Sequence, residues 1–229
     1  MKKLRIIFTV LLFIGILLQS FVLAEEGYKT ANLNDIISKE ELAKYKSKEN
    51  KTYQELFNEY NLKSISPEDV PEDVIVIKID NVEDLQSYLN MNKSAIDNLN
   101  KDKDKNDNYK DTQTGTNNEI SILTCTSGTS RRSDVGFNSI SAKVTLYADI
   151  QTCYDGSFRW ITGSNEWTTF SGVTLGMSWT EEYKYHTIGS NQTTITIKAG
   201  GTVTNYLWIE GILNIYSTPV NMEINYSVY

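Results

Sequence analysis

The chain has 229 residues, in which 29 Asp and Glu outnumber 22 Lys and Arg, so the formal net charge is −7. This acidic balance argues against nucleic acid as a partner, because a phosphate-binding face needs clustered Lys and Arg. Two Cys and one His supply too few ligands for a zinc site, whereas four Trp, seven Phe and 14 Tyr supply ample aromatic surface.

The first 24 residues have the pattern of a secretory signal peptide. A basic lead, Met1–Arg5, precedes an apolar run from Ile6 to Leu18 and an exit at Val22–Ala24. The apolar run is shorter than the roughly 20 residues that a membrane-spanning helix needs. We therefore predict cleavage after Ala24 and a secreted, extracellular product, with a retained transmembrane anchor as the alternative.

Composition divides the remaining chain into three parts. Residues 25–118 carry 20 acidic and 13 basic side chains without Trp or Cys, whereas residues 119–229 hold all four Trp, both Cys and eight of the 14 Tyr. Because large aromatic side chains mark where a core forms, we expect the main folded domain at residues 119–229. Residues 25–100 are predicted to be an acidic helical region with one strand–helix unit, and residues 101–118 a disordered linker.

Local signals predict the elements of the acidic region. Ser38 and Thr52 each begin a capping-box pattern, which predicts two short helices. The β-branched run Val74–Ile79 predicts a strand, and Asn81 opens a helix that is expected to end near Met91. These elements bury too little surface to be stable alone. We therefore expect the region to dock on the β domain, to be a propeptide, or to be marginally ordered.

The segment 101–118 is polar and has no apolar periodicity, which is typical of a linker. Asp102, Asp104 and Asn106 alternate as in an EF-hand loop, but the glycine and the closing glutamate of that loop are missing. We therefore predict no calcium site here, and no cofactor for the chain.

From residue 119 the apolar period changes to two, which predicts a mainly β fold with an antiparallel β-sandwich of about seven strands. Ala142–Ile150 alternates apolar and polar residues, and Asp155-Gly156 is a strong hairpin signal. A further strand is expected from Val173 to about Thr187, with a bend or bulge near Gly176.

Glycine and proline signals predict where the last strands begin and end. Gly189–Gln192 and Gly200-Gly201 are predicted turns, and Thr218-Pro219 is a predicted break. Between them, Tyr206–Tyr216 is apolar on both faces, which predicts one central strand with a cover on its outer side. Met222–Val228 is expected to finish the sandwich.

Cys125 and Cys153 are the only cysteines. An isolated pair in an exported chain most often forms one disulfide, so we predict a bridge between them. Two free thiols, one of them nucleophilic, are the alternative.

Signals for catalysis are few. His186 is the only histidine and therefore the only candidate base for a serine or cysteine nucleophile. The sequence contains no Gly-x-Ser-x-Gly nucleophile elbow, and it has no free thiol if the two cysteines are bridged. The acid pair of a β-sandwich glycosidase would have to come from the glutamates of the β domain: Glu166, Glu181, Glu182, Glu210 and Glu223. Glu210 is the most interesting because an apolar strand surrounds it, although a solvent-facing glutamate is the simpler interpretation. We predict that the protein is not an enzyme.

Aromatic residues are the stronger candidates for a binding surface. They could stack on sugar rings or insert at a membrane interface, and the alternative is that they fill the core. The candidate ligand-contact residues are Trp160, Trp167, Trp179, Tyr183 and Tyr185. Trp167 is expected in a loop and therefore to be the most exposed of them.

This layout resembles a class of secreted proteins of low-GC Gram-positive bacteria, some of which are bacteriocin-like. The resemblance rests on the basic signal, the strand–helix unit Val74–Leu85, and the ending Asn205–Tyr229 with its repeated tyrosines. It implies an exported protein with a C-terminal β domain, and it transfers no functional residues.

These observations predict a secreted, non-enzymatic protein whose β-sandwich binds a component of a cell surface or cell wall. One alternative is an antibacterial or membrane-active toxin that targets a bacterial membrane and whose N-terminal region masks an aromatic surface. Arg131-Arg132, interpreted as a solvated turn, is the candidate trimming site for such a toxin. A carboxylate-dependent glycoside hydrolase is the second alternative. The oligomeric state stays open.

Overall fold

The computed structural model describes residues 22–23, 28–103, 125–139 and 142–229. The predicted signal peptide lies outside the described residues except for Val22–Leu23, and so do residues 104–118 of the predicted linker. Among the residues that are described, no helix is long and apolar enough to cross a membrane.

The fold is mainly β with a small helical N-terminal region, as predicted. The described part of the chain forms ten strands, four α-helices and a 3₁₀-helix at Pro67–Asp69. The strands are β1 Val22–Leu23, β2 Lys29–Asn32, β3 Lys63–Ser64, β4 Ile75–Ile79, β5 Thr126–Asn138, β6 Ala142–Tyr154, β7 Arg159–Gly172, β8 Met177–Ile188, β9 Thr194–Ile209 and β10 Ile212–Ser227. The helices are α1 Leu33–Ile36, α2 Lys39–Ala43, α3 Tyr53–Tyr60 and α4 Val82–Lys103.

The short helices begin where their capping residues predict. Ser38 Oγ accepts a hydrogen bond from the Glu41 amide at 3.2 Å, at the start of α2. Thr52 and Glu55 form a reciprocal capping box at the start of α3, so two backbone amides that have no partner within the helix are satisfied.

Helix α4 begins as predicted but ends later than expected. Asn81 Oδ1 accepts a hydrogen bond from the Asp84 amide at 2.8 Å and so caps the first turn. The expected end near Met91 is wrong, because none of residues 92–103 is a glycine or proline that would stop the helix.

The chain divides into two compact units. The first contains the described residues up to Met91, together with Leu175–Ser178 and Thr204–Ser217. In it β4 pairs in parallel with β2 on one side and with the end of β9 on the other, where Ile77 lies opposite Leu207. The strand predicted at residues 74–79 therefore lies in the interior of a sheet, where all of its β-branched side chains except Ile75 are buried.

The second unit contains Asn92–Thr174, Trp179–Val203 and Thr218–Tyr229. Strands β5, β6 and β7 form an antiparallel sheet with β6 in the middle. The apolar face that the alternation of β6 predicts is confirmed, because every second side chain of the strand is buried there. Those side chains are Ala142, Val144, Leu146, Ala148 and Ile150.

The second layer of this unit comes from β8, β9 and β10, with β9 hydrogen-bonded to both neighbours. The layers meet where β5 crosses β10. A Cβ added at Gly136 would lie 2.5 Å from Val220 Cγ1 and would collide with Met222, and Asp134 accepts a hydrogen bond from the Glu223 amide at 2.9 Å. Two sheets packed face to face make the predicted β-sandwich.

The turn predicted at Gly200-Gly201 is wrong, because β9 continues through both residues. The glycines are required by close packing instead of by a turn. A Cβ at Gly200 would lie 2.5 Å from the Tyr183 ring, and one at Gly201 would collide with the backbone of Thr180. The absence of a side chain at these two positions therefore allows β8 to approach β9 closely.

The break predicted at Thr218-Pro219 is also wrong, because β10 continues to Ser227. Of the described strands, only β3 pairs with the side of β10 away from β9, and it does so at Asn214 and Ile215. Beyond these residues that side of β10 is an edge, where a proline removes no ladder hydrogen bond.

The single strand predicted at Tyr206–Tyr216 is two strands, β9 and β10, joined at Glu210-Gly211. Both turn residues have positive φ, 50° and 83° respectively, which is typical of a two-residue hairpin turn. The strand expected from Val173 begins at Met177 instead, after Gly176 with a φ of 69°.

The remaining predicted turns are confirmed. Asp155-Gly156 joins β6 to β7, with Gly156 at a φ of 98°. Gly189–Gln192 joins β8 to β9 and is closed by a hydrogen bond from the Gln192 amide to the Gly189 carbonyl at 2.8 Å.

Candidate functional site

The aromatic side chains of β6 and β7 share one face of the three-stranded sheet. Because Leu146 and Ala148 point into the sandwich, the alternate residues Tyr147 and Asp149 point away from it. The register places Trp167 of β7 directly opposite Tyr147. We call the side of the β5–β6–β7 sheet that carries these residues the outer face.

Tyr147, Trp167 and Arg131 form a stack at the centre of the outer face, which we call the central stack. The rings of Tyr147 and Trp167 are nearly parallel, with centroids 5.6 Å apart and an interplanar angle of 14°. The Arg131 guanidinium carbon lies 5.4 Å from the Trp167 ring centroid, within the range of a cation–π contact.

Arg131 is held in place by Asp149, which lies opposite it on β6. Its Nε donates to Asp149 Oδ1 at 2.7 Å and its Nη2 donates to Oδ2 at 2.8 Å, a bidentate pair. The hydrogen bond from Arg131 lowers the pKa of Asp149 and in turn raises the pKa of Arg131. The central stack is therefore ordered before any ligand arrives. Both Arg131 and Arg132 lie within β5, so the prediction of a solvated turn there is wrong.

A second aromatic group surrounds the hairpin between β6 and β7, and we call it the hairpin cluster. It consists of Tyr154, Phe158, Trp160 and Tyr229, with Arg159 over the Tyr154 ring at 5.6 Å. Phe158 and Trp160 are stacked with centroids 6.2 Å apart, and Tyr229 lies 5.9 Å from Phe158. Three members expose 40% or more of their surface: Tyr154 40%, Phe158 42% and Tyr229 75%.

Local hydrogen bonds fix the hairpin that carries this cluster. Asp155 Oδ1 accepts from the amides of Phe158 at 2.7 Å and Ser157 at 2.9 Å, and these bonds lower the pKa of Asp155. The Arg159 amide donates to the Tyr229 hydroxyl at 3.0 Å, which ties the last residue to the start of β7.

The predicted disulfide between Cys125 and Cys153 is confirmed, with Cα atoms 5.4 Å apart. Cys153 lies opposite Trp160, so the bridge joins the chain just before β5 to the part of β6 beside the hairpin cluster. Closing a loop of 28 residues stabilises the fold by about 3.5 kcal/mol in the chain-entropy estimate.

Trp160, on which Phe158 stacks, lies on the same outer face as the central stack but at a different height, whereas Tyr154 points to the other side of the sheet. Tyr147 and Cys153 are six residues apart on β6, which is roughly 20 Å at about 3.3 Å per residue. Between them the outer face carries side chains that donate and accept hydrogen bonds: Thr129, Arg131, Asp149, Gln151 and Asn165. This part of the outer face is therefore elongated. The central stack lies at one end of it, the Phe158–Trp160 stack lies at the other, and polar groups lie between them.

The other three predicted aromatics lie elsewhere in the unit. Trp179 is half-buried, and its Nε1 donates to Thr168 Oγ1 at 3.3 Å. Tyr183 and Tyr185 lie on β8, on the other sheet, with ring centroids 5.9 Å apart. The five predicted residues therefore form no single site: Trp160 and Trp167 share the outer face, and Tyr183 and Tyr185 lie together on β8.

Three partners of the predicted tryptophans are not among the candidate residues: Tyr147, Phe158 and Tyr229. The alternation along β6 is consistent with the position of Tyr147 on the polar face, but its ring partner depends on the register with β7. Trp167 is half-buried within β7, so the expectation that it lies in an exposed loop is wrong.

The carboxylates form a polar cluster at the edge between β7 and β8. Glu166 Oε1 lies 3.1 Å from His186 Nδ1, and Glu181 accepts a hydrogen bond from Thr168 at 2.6 Å. Burial opposes ionisation of Glu181, but the hydrogen bonds from Thr168 and Lys184 outweigh it and lower its pKa. Both carboxylates thus have a protein partner, although the second oxygen of Glu166, Oε2, is buried without a hydrogen bond.

Glu210, the glutamate expected within an apolar strand, is exposed in the turn between β9 and β10. The simpler interpretation, a solvent-facing glutamate, is therefore the correct one, although the residue lies in a hairpin turn and not within a strand. In the described part of the chain, no group of three or more His, Cys, Asp and Glu residues is arranged to hold a metal ion.

Comparisons with protein-family models, curated proteins and solved structures found no match to this chain.

Proposed function

We propose that this is a secreted, non-enzymatic protein that binds glycan chains at a cell surface or cell wall through the outer face of the β5–β6–β7 sheet. The observation that carries the proposal is the pair of aromatic stacks on this face, about 20 Å apart along β6. That separation is longer than a single sugar ring, so the fitting ligand is an extended oligosaccharide or polysaccharide.

The chemistry of the face suits sugars. One side of a sugar ring is apolar and flat, and Trp and Tyr offer flat, rigid surface at little conformational cost. The rim of a sugar ring carries hydroxyl groups, which need donors and acceptors such as those of Arg131, Asp149 and Asn165. The two stacks and the polar groups between them therefore offer both ring stacking and hydrogen bonds to a single glycan chain.

Preorganisation adds to the affinity. The Arg131 side chain is already held by Asp149 and by the Trp167 ring, so a ligand does not have to order it. Because the Arg131 and Asp149 charges neutralise each other, the centre of the face favours a neutral or zwitterionic glycan over a strongly charged one.

Secretion is part of the proposal and rests on two observations. The N-terminal 24 residues have the pattern of a signal peptide. The Cys125–Cys153 disulfide is of the kind that persists in an oxidising, extracellular space.

A membrane-active toxin is the second candidate, and one observation favours it. The hairpin cluster exposes Tyr154, Phe158 and Tyr229 around Arg159, a combination of aromatic and cationic groups that also occurs where proteins enter the interface of a bilayer. The central stack has no role in such an insertion, so the two candidates differ in which aromatic residues they need.

The experiment is co-sedimentation of the purified protein with insoluble peptidoglycan, whole cell walls and chitin, in parallel with dye release from liposomes. We expect sedimentation with at least one glycan and a loss of affinity of tenfold or more in Trp167→Ala. Tyr45→Ala, which removes a half-buried aromatic of the first unit, is the matched control and should bind like the wild type.

Three outcomes would overturn the proposal. The first is that the wild type binds none of the glycans. The second is that Trp167→Ala binds as well as the control. The third is dye release that depends on Phe158 and not on Trp167, which would establish the membrane candidate instead.

A further inference from the structure

Strand β8 is a long sheet edge that the rest of the described chain leaves open. It is hydrogen-bonded to β9 on one side, and no other described strand pairs with it. All eight residues from 180 to 187 are exposed. A strand in this position presents a row of backbone N–H and C=O groups that can pair with another strand.

Side-chain hydrogen bonds to the rest of the chain hold this edge in place. Glu181 accepts a hydrogen bond from Thr168 at 2.6 Å, and His186 Nδ1 lies 3.1 Å from Glu166. The Tyr183 hydroxyl donates to Asn221 Oδ1 at 2.7 Å across the same sheet. Because these contacts keep β8 extended, pairing with a second strand costs little further conformational entropy in β8.

We propose that a second copy of this chain pairs with β8 in antiparallel register, so that two sandwiches share one continuous sheet. The strand is complementary to itself about Tyr183. When Tyr183 lies opposite its counterpart, Glu182 of each copy lies opposite Lys184 of the other. This pairing gives two opposite-charge cross-strand pairs, which stabilise antiparallel strands.

The neighbouring registers are less favourable. A two-fold axis at Glu182 brings two glutamates together, and an axis at Lys184 brings two lysines together. Like charges directly opposite each other destabilise a strand pair. An axis between two residues is excluded, because it would place side chains from opposite faces of the sheet directly across from each other.

The charged residues keep capacity for the second copy while holding their contacts in their own chain. Glu182 accepts from Thr202 Oγ1 at 2.7 Å through Oε1, and Lys184 Nζ lies 3.1 Å from Glu181 Oε1. A carboxylate accepts through two oxygens and an ammonium group donates three protons, so each can make a further contact across the pair.

Self-pairing by a two-fold axis closes after two copies, because each β8 edge is used once. Charge complementarity therefore favours a second copy over an unrelated peptide, whose sequence would have to match this pattern by itself. The dimer does not depend on whether the outer face binds glycan. If it does, two such faces on one particle would strengthen attachment to a polymeric ligand.

The experiment is sedimentation velocity of the secreted full-length protein over a concentration series. We expect a concentration-dependent dimer for the wild type. Glu182→Lys and Lys184→Glu each bring like charges together, so each should weaken dimerisation at least tenfold. An equimolar mixture of the two variants should dimerise again, because one copy then carries two lysines and the other two glutamates.

Lys198→Glu is the matched control, because it reverses a charge that pairs with Glu223 on the same sheet and leaves β8 unchanged. It should dimerise like the wild type. Hydrogen exchange supplies a measurement without variants: the amides of residues 180–187 should gain protection as the wild-type concentration rises.

The proposal is overturned if the wild type stays monomeric up to about 1 mM, a limit that corresponds to very weak association. It is also overturned if the mixture of the two variants stays monomeric. Weakening by only one of the two variants would overturn it as well, because each substitution disrupts the same Glu182–Lys184 pairs.

Discussion

Packing of the two layers of the sandwich can be tested at a single glycine. Gly136 lies in β5, where the register with β6 shifts by one residue between Val135 and Phe137. An added Cβ there would lie 2.5 Å from Val220 Cγ1 and would collide with Met222, and both of these β10 residues are buried. Gly136→Ala therefore forces the two layers apart or displaces side chains in the core.

The expected magnitude follows from two opposing effects. Overpacking a well-packed core costs about 1–3 kcal/mol. Replacing a glycine by alanine recovers about 0.4–1 kcal/mol, because the unfolded chain loses conformational freedom. We therefore expect Gly136→Ala to lower the free energy of unfolding by about 1–2 kcal/mol.

Gly163→Ala is the control, because its nearest group, Gln151 Oε1, would lie 3.5 Å from the new Cβ, an ordinary contact distance. This variant keeps the gain in the unfolded chain without the collision, so its stability should equal or exceed that of the wild type. Urea unfolding followed by tryptophan fluorescence measures both variants. For an m-value of about 2 kcal/mol/M, the Gly136→Ala midpoint should fall by roughly 0.5–1 M. Equal midpoints for the two variants would refute the packing of β5 on β10.

Three further predictions concern the disulfide, the central stack and the last hairpin. Reduction of Cys125–Cys153 should lower the free energy of unfolding by about 3.5 kcal/mol, measured by urea unfolding with and without dithiothreitol; an unchanged midpoint would contradict it. Arg131→Gln should be less stable than the wild type at neutral pH, and the difference should become smaller as the pH falls to about 2. The pKa of Asp149 is lower in the folded chain, so the Arg131–Asp149 pair contributes stability above the unfolded pKa, and this contribution is lost as the pH falls through the folded pKa, whereas the Arg131–Trp167 contact does not depend on Asp149; a difference that does not change with pH would contradict this. Glu210→Asn should raise the melting temperature slightly, because asparagine tolerates the positive φ of this turn position better than glutamate does, and a fall would indicate a further role for the carboxylate.

The elements that were predicted correctly depend on contacts close in sequence. The caps at Ser38 and Thr52 involve residues three positions apart, and the alternation along β6 reports one buried face without any knowledge of its partner. The Asp155-Gly156 turn is likewise a property of a few adjacent residues. These elements can be predicted from the sequence because the interactions that form them lie within one short segment.

The wrong boundaries arose where one residue type serves two purposes. Glycine permits a turn, as at Gly211, but it also permits close packing, as at Gly200 beside the Tyr183 ring. Proline ends an interior strand but is tolerated on the open edge of β10 at Pro219. Which purpose applies depends on neighbours that are distant in sequence.

The candidate site shows the same division. From the sequence alone it follows that β6 has a polar side, that the two cysteines are expected to pair, and that the tryptophans of this domain are candidates for ligand contact. The stacking of Tyr147 on Trp167 is visible only in the folded chain, because the register between two strands is set by the packing of their other faces. The residue that lies opposite an aromatic ring on the neighbouring strand depends on the register between the two strands, which a local sequence pattern does not determine.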